Sequence, residues 1–248
     1  MPIQKVKRSY KSLYEQENIP ELRYDFEKAD RFMLVLIGLH WLLVSTFGGY
    51  FYDMYRFGFI SGGLLFFVTY LGYRYYRGTS FYRIMTGIVL LSFSIILIQQ
   101  SLGRIEMHFH VFIALSFLAA YKDLKPVAVA ALYTIIHHLV FNYLQMYNVE
   151  LFGTPIMVFN YGCGLDIVML HAFFVVFELL VMIRVIQAIK RRFLELVFYK
   201  NEVQEMNQNL EEIVEERTAE LAAADVDGDE RPQEGRADMG ADEYVPAE

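Results

Sequence analysis

The chain has 248 residues, of which 55% are hydrophobic and 16% aromatic, and its mean hydropathy is +0.29. That apolar content excludes a disordered protein, and a lone cysteine, Cys163, excludes a disulfide scaffold. The formal charge of −7 comes from one end: residues 222–248 hold 9 acidic and 2 basic side chains, against 20 of each elsewhere, and no basic patch argues for nucleic acid.

The segment after Met1 is mostly polar, which does not fit a cleaved signal peptide. From Arg31 the apolar residues fall into runs close to the roughly 20 residues that cross a bilayer as a helix. Six spans are expected: Arg31–Tyr52, Phe57–Tyr76, Tyr82–Ser101, Met107–Tyr121, Leu124–Tyr143 and Cys163–Ile189. The fourth is short, with an uncertain boundary at Arg104–Glu106. Lysine and arginine mark the cytoplasmic side of short loops. They cluster before the first span, between the second and third (Arg74, Arg77, Arg83), between the fourth and fifth (Lys122, Lys125) and after the sixth (Lys190, Arg191, Arg192). With six spans every cluster alternates onto one side, which implies a multi-pass membrane protein with both termini, including residues 1–30, in the cytoplasm.

After the sixth span, Leu196, Tyr199, Val203, Met206, Leu210 and Ile213 occupy a and d positions of a heptad, and Val214 and Leu221 continue it after a stutter. Residues 190–221 are therefore expected to form a coiled-coil linker and a homodimer contact. Residues 222–248 are expected to be disordered. Asp225, Asp227 and Asp229 lack the glycine and closing glutamate of a calcium loop.

All six histidines fall inside expected spans: His40, His108, His110, His137, His138 and His171. Ionisable side chains in hydrocarbon need a partner or a watered cavity. His110, His138 and His171 are expected at a similar depth in the outer half of three helices. Glu106 and His110 share a helical face, whereas His108 points about 200° away from His110. Thr134, His138, Asn142 and Gln145 form one stripe, and His137 turns instead with Tyr133 and Phe141. A polar, outward-opening pocket is the simplest arrangement that satisfies these groups. Neutral imidazoles with a carboxylate can bind zinc, copper or iron. Two imidazoles can hold haem. A hydrogen-bonded network with bound water, or a proton sensor, would use the same residues. The candidate metal ligands are Glu106, His108, His110, His137, His138 and His171, with His110, His138 and His171 the cofactor-binding set.

The stretch GRIEMHFHVFIALSFLAAYKDLKP, then HHLVFNYL and LHAFFVVFELL, resembles a bacterial membrane sensor module. That module lies at the N-terminus of sensor histidine kinases, diguanylate cyclases and methyl-accepting chemotaxis proteins. The resemblance covers residues 30–190 and falls on Glu106, His108, His110, His137, His138 and His171. EERTAEL at 215–221 is similar to the coiled linker before the output domains of such receptors. No phosphoacceptor histidine, cyclase run or chemoreceptor hairpin follows. The resemblance thus implies an all-α, six-helix transmembrane module that is not itself an enzyme, and that is either a truncated gene product or an input module acting through a cytoplasmic signalling partner. Two other readings use the same residues: a membrane metalloenzyme of oxidase or desaturase type, although its usual histidine runs are lacking, and a small transporter, although no internal repeat is visible.

Overall fold

The computed structural model describes residues 19–151 and 153–224. The expected N-terminal segment up to residue 18 and the acidic tail from residue 225 lie outside them. Among the described residues the fold is all-α apart from one hairpin of two-residue strands. Six α-helices follow one another: α1 (Pro20–Tyr52), α2 (Tyr55–Tyr76), α3 (Ser80–Gln100), α4 (Ile105–Phe117), α5 (Leu124–Met146) and α6 (Leu165–Ala224). A 3-10 turn, Leu118–Tyr121, extends α4, and β1 (Glu150–Leu151) pairs antiparallel with β2 (Thr154–Pro155) between α5 and α6. The chain divides into two compact units, residues 1–196 and 197–248.

Four helices, α1, α3, α5 and α6, are long and apolar enough to cross a membrane. The segment Ile105–Tyr121 is apolar but shorter. The second helix has a span's length, 22 residues, but is not among the four. Its tyrosines, glycines and two arginines dilute the hydropathy that its Leu and Phe supply. Helix α1 starts at Pro20, well before the apolar run, with Pro at the first position where its missing N–H costs nothing. The extra turns are held because Leu22 and Phe26 pack with Ile19 and Leu194.

The first unit is built with its polarity reversed. Outward faces carry Leu39, Leu64, Phe67, Leu132, Ile136, Phe173 and Phe177, all exposed, while Gln100, His108, His138 and Asn142 are buried. In water such a surface would be an association liability; against acyl chains it costs nothing. Helix α3 is the central member, with 67% of its apolar window buried, against 17% for α6. Glycine lets α1 and α2 approach α3: a Cβ on Gly58 would collide with the Val44 carbonyl and the Gln100 amide.

Ion pairs lock the end of the bundle where the basic residues gather. Arg83 of α3 reaches Asp123, the N-cap of α5, at 2.9 Å and lies 3.8 Å over the Phe26 ring. Lys122 pairs with Asp25 of α1, and Asp30 accepts the Gly78 N–H. The Arg83 and Asp123 side chains are only 8% and 14% exposed. Removing one partner of such a pair strands the other. Asp123→Ala should therefore cost about 3–5 kcal/mol, read as a lower melting temperature in detergent, and the double replacement Arg83→Met with Asp123→Leu should recover most of it. An unchanged melt for Asp123→Ala would show the pair to be solvated and dispensable.

In the second unit, the described helix carries Tyr199, Val203, Met206, Leu210, Ile213, Val214 and Leu221 as an exposed apolar seam.

Candidate functional site: three imidazoles under an aromatic plug

The six histidines separate into two groups because α4 presents His108 and His110 on different faces. His110 turns to α1 and α3. Its Nε2 lies 3.1 Å from His40 Nε2, and its Nδ1 lies 2.8 Å from the Ser94 hydroxyl. His40 Nδ1 lies 2.6 Å from the Leu36 carbonyl. A carbonyl only accepts, so His40 carries its proton on Nδ1. Its Nε2 then accepts from His110 Nε2–H, and His110 Nδ1 accepts from Ser94. One set of tautomers satisfies the whole chain, so this group is closed.

His108, rather than His110, stands beside His138 and His171. Ring centroids are 5.4 Å apart for His108–His138, 5.1 Å for His108–His171 and 5.7 Å for His138–His171. Each of these rings is fixed in the same way. His108 Nδ1 meets the Arg104 carbonyl at 3.1 Å, His138 Nδ1 the Thr134 carbonyl at 2.9 Å, and His171 Nδ1 the Ile167 carbonyl at 2.9 Å. All three carbonyls lie four residues earlier, Arg104 as the N-cap of α4 and the other two within α5 and α6, where a backbone bond leaves one lone pair to spare. Every Nδ1 therefore donates, and in the neutral ring every Nε2 keeps a lone pair directed away from its own helix. His108 Nε2 is buried with no hydrogen-bond partner, although His108 is only 5% exposed. His137 sits next to this group. Its Nδ1 is 3.5 Å from His138 Nδ1, its ring lies 4.1 Å from Phe141, and its Nε2 is likewise buried without a partner. Glu106, in the first turn of α4, is exposed, and no hydrogen bond or ion pair joins it to these histidines.

The connection from α5 to α6 closes the site from above. Phe159 is fully buried, with its ring 4.6 Å from His171, 5.5 Å from His108 and 5.7 Å from His138. The polar ends of α3 and α5 hold it there. Gln145 accepts from the Val158 and Phe159 amides at 2.8 and 3.1 Å and donates to the Phe159 carbonyl at 2.7 Å. Gln99 brackets Pro155 and Met157, and Asn142 accepts from Gly164 N–H at 3.0 Å. Gly103, at φ +78°, accepts from the Asn160 amide, and a Cβ there would strike the Phe159 backbone. Of the polar stripe expected on α5, Thr134 lines the cavity beside His138, with its hydroxyl donating to the Ala130 carbonyl, whereas Asn142 and Gln145 clamp the plug.

A cavity of about 260 Å³ opens beside the three imidazoles, walled by Phe109, Phe112, Leu170 and Phe174, with Tyr161 at its rim. Burial raises the Tyr161 phenol above its ordinary value, so it remains a donor. Among the described residues no group of three or more His, Cys, Asp or Glu side chains is arranged to hold a metal ion. His40, Ser94 and Phe159 did not figure in the expected site. Only the first carried a sequence signal, as a further histidine within an apolar run.

Comparison with family models, with curated proteins and with solved structures gave no match.

Gln145 is the main anchor of the plug. In Gln145→Ala the Val158 and Phe159 amides should exchange roughly 10–100-fold faster, as for about 1–3 kcal/mol of lost hydrogen bonding. Unchanged protection at these two amides would show that packing alone seats Phe159.

Proposed function

We propose that the chain is the membrane-embedded input module of a bacterial signal-transduction receptor, with His108, His138 and His171 as its ligand site and a transition-metal ion as the occupant. The observation that carries this reading is the common tautomer of the three rings. Each commits Nδ1–H to a backbone carbonyl and leaves Nε2 free, the arrangement by which ligating imidazoles are oriented. Spacing supports it too. Three imidazoles on one tetrahedral ion would put their ring centroids about 5 Å apart, against 5.1–5.7 Å observed. Closing on an ion would therefore turn the rings and draw α6 slightly toward α4 and α5. The orphaned Nε2 of His108 would gain a partner by it. Haem is the poorer fit: opposed axial imidazoles would stand on the order of 6 Å apart across the iron. The cavity is also smaller than the roughly 300–1,000 Å³ of drug-sized sites.

In this reading six helices cross the inner membrane, α2 and the short α4 included, with both termini in the cytoplasm. Four of them meet the hydropathy requirement outright. Ligands on α4, α5 and α6 make occupancy a constraint on the position of α6. That helix carries one ligand, His171, and continues without a break from Leu165 to Ala224. Its apolar window is only 17% buried, so little packing opposes a shift of one packed state to another. The seam from Tyr199 to Leu221 would pair with that of a second copy in a coiled coil and pass the shift to a cytoplasmic signalling partner. Membrane anchoring raises the local concentration that two to three heptads need.

Elemental analysis of the purified full-length protein should find about one equivalent of a transition metal. His138→Ala or His171→Ala should lose it, while His110→Ala, on the closed group, should retain it. Equal metal content in all four proteins, or none in the parent after loading, would remove the site. Leu210→Cys should form a disulfide-linked dimer in native membranes, and a persistent monomer would refute the coiled-coil pairing.

A further inference from the structure

The cavity beside the imidazoles has walls and a floor of opposite character, and that contrast defines a ligand. Its walls are Phe109, Phe112, Leu170 and Phe174. Phe109, Leu170 and Phe174 are also exposed on the outer faces of α4 and α6, so the cavity walls run on into an apolar surface that a bilayer-soluble molecule would reach first. Its floor is His108, His138 and His171, whose Nδ1 protons are already given to carbonyls. The Thr134 proton is likewise spent on Ala130. The floor therefore offers only lone pairs, while the Tyr161 hydroxyl waits as a donor at the rim. A ligand that fills this space has a flat apolar body, brings a hydroxyl to the floor, and is lipid-soluble enough to arrive through the bilayer. At about 260 Å³ the cavity holds one or two rings.

We infer that this cavity binds the aromatic head of a hydroxylated, bilayer-soluble molecule of the phenol or hydroquinone class, with its hydroxyl against the three imidazole nitrogens. The inference rests on the same three imidazoles that the proposed function makes the ligand site. Were His108, His138 and His171 to hold an ion, the ion would offer the hydroxyl oxygen a Lewis-acid partner. Without it, the hydroxyl donates to Nε2. In both cases a ligand whose hydroxyl is capped by a methyl group loses the contact. Aromatic walls and the apolar surface they run on into make the module a reader of lipid-phase molecules, and an occupant wedged between α4 and α6 would act directly on the last helix.

The probes are 1-naphthol and 1-methoxynaphthalene, titrated by calorimetry into the detergent-purified full chain, both ion-loaded and chelator-stripped. The hydroxyl form should bind roughly tenfold tighter or better, the worth of one good hydrogen bond in a buried site. Leu170→Trp, which fills the mouth from an exposed position, should weaken both probes and leave metal content unchanged. His138→Phe with His171→Phe should abolish the preference for the hydroxyl. Equal binding of the two probes, or undiminished binding by Leu170→Trp, would overturn the inference. Metal content, measured on the same samples, separates the two readings. A hydroxyl preference without any bound ion upholds the cavity and refutes the ion, and a bound ion without the preference does the reverse.

Discussion

The structure depends on one constraint: an imidazole placed among apolar helices must dispose of its N–H. His108, His138 and His171 solve this identically, each giving Nδ1–H to the carbonyl four residues earlier. The bond costs the helix nothing, because a carbonyl oxygen has a second lone pair. It also fixes which nitrogen stays basic and where that nitrogen points. His40 does the same, but its Nε2 is answered at once by His110 and Ser94. Two histidine groups on the same bundle thus differ in kind. One is internally complete and ties α1 to α4, and the other leaves Nε2 capacity on three helices open to a ligand.

Everything around the open group holds it in place. Gln99, Asn142 and Gln145 end their helices with amides that grip the α5–α6 connection and seat Phe159 over the rings. At the opposite end Arg83, Asp123, Lys122 and Asp25 fix α1, α3 and α5 to one another. Helix α6 is the exception: its apolar surface is largely uncovered, and it supplies one imidazole and one cavity wall. Helices α1, α3 and α5 are tied to one another by ion pairs while α6 is loosely packed, the contrast that the proposed movable last helix would require.

Much of this was legible in the residues. Long apolar runs placed the helices, and their hydropathy alone secures α1, α3, α5 and α6 as long enough to cross a membrane. The 3.6-residue period told that His108 and His110 diverge, and that His137 and His138 do too. It could not tell which member of each pair meets His171, because that depends on how α4 is rotated against α5 and α6. Depth suggested His110, and rotation selected His108. The Glu106 carboxylate shares a helical face with His110, yet it sits in the first turn of α4, where the chain is still exposed. Phe159 was beyond reach for a different reason. It lies in a connection with no periodicity, and what places it is a set of side-chain bonds from Gln99, Asn142 and Gln145, the last two of which read equally well as pocket lining.

The central claim is that His108, His138 and His171 share one tautomer with a basic Nε2. Nitrogen NMR of the metal-free protein carrying 15N-labelled histidine tests it most directly, with single His→Gln variants assigning each ring. The account predicts protonated Nδ1 and unprotonated Nε2 at these three positions, with the Nε2 signals moving on addition of a divalent metal. Protonated Nε2 at any two of them would mean that the rings face the cavity as donors, and both the ion site and the hydroxyl-selective cavity would be lost.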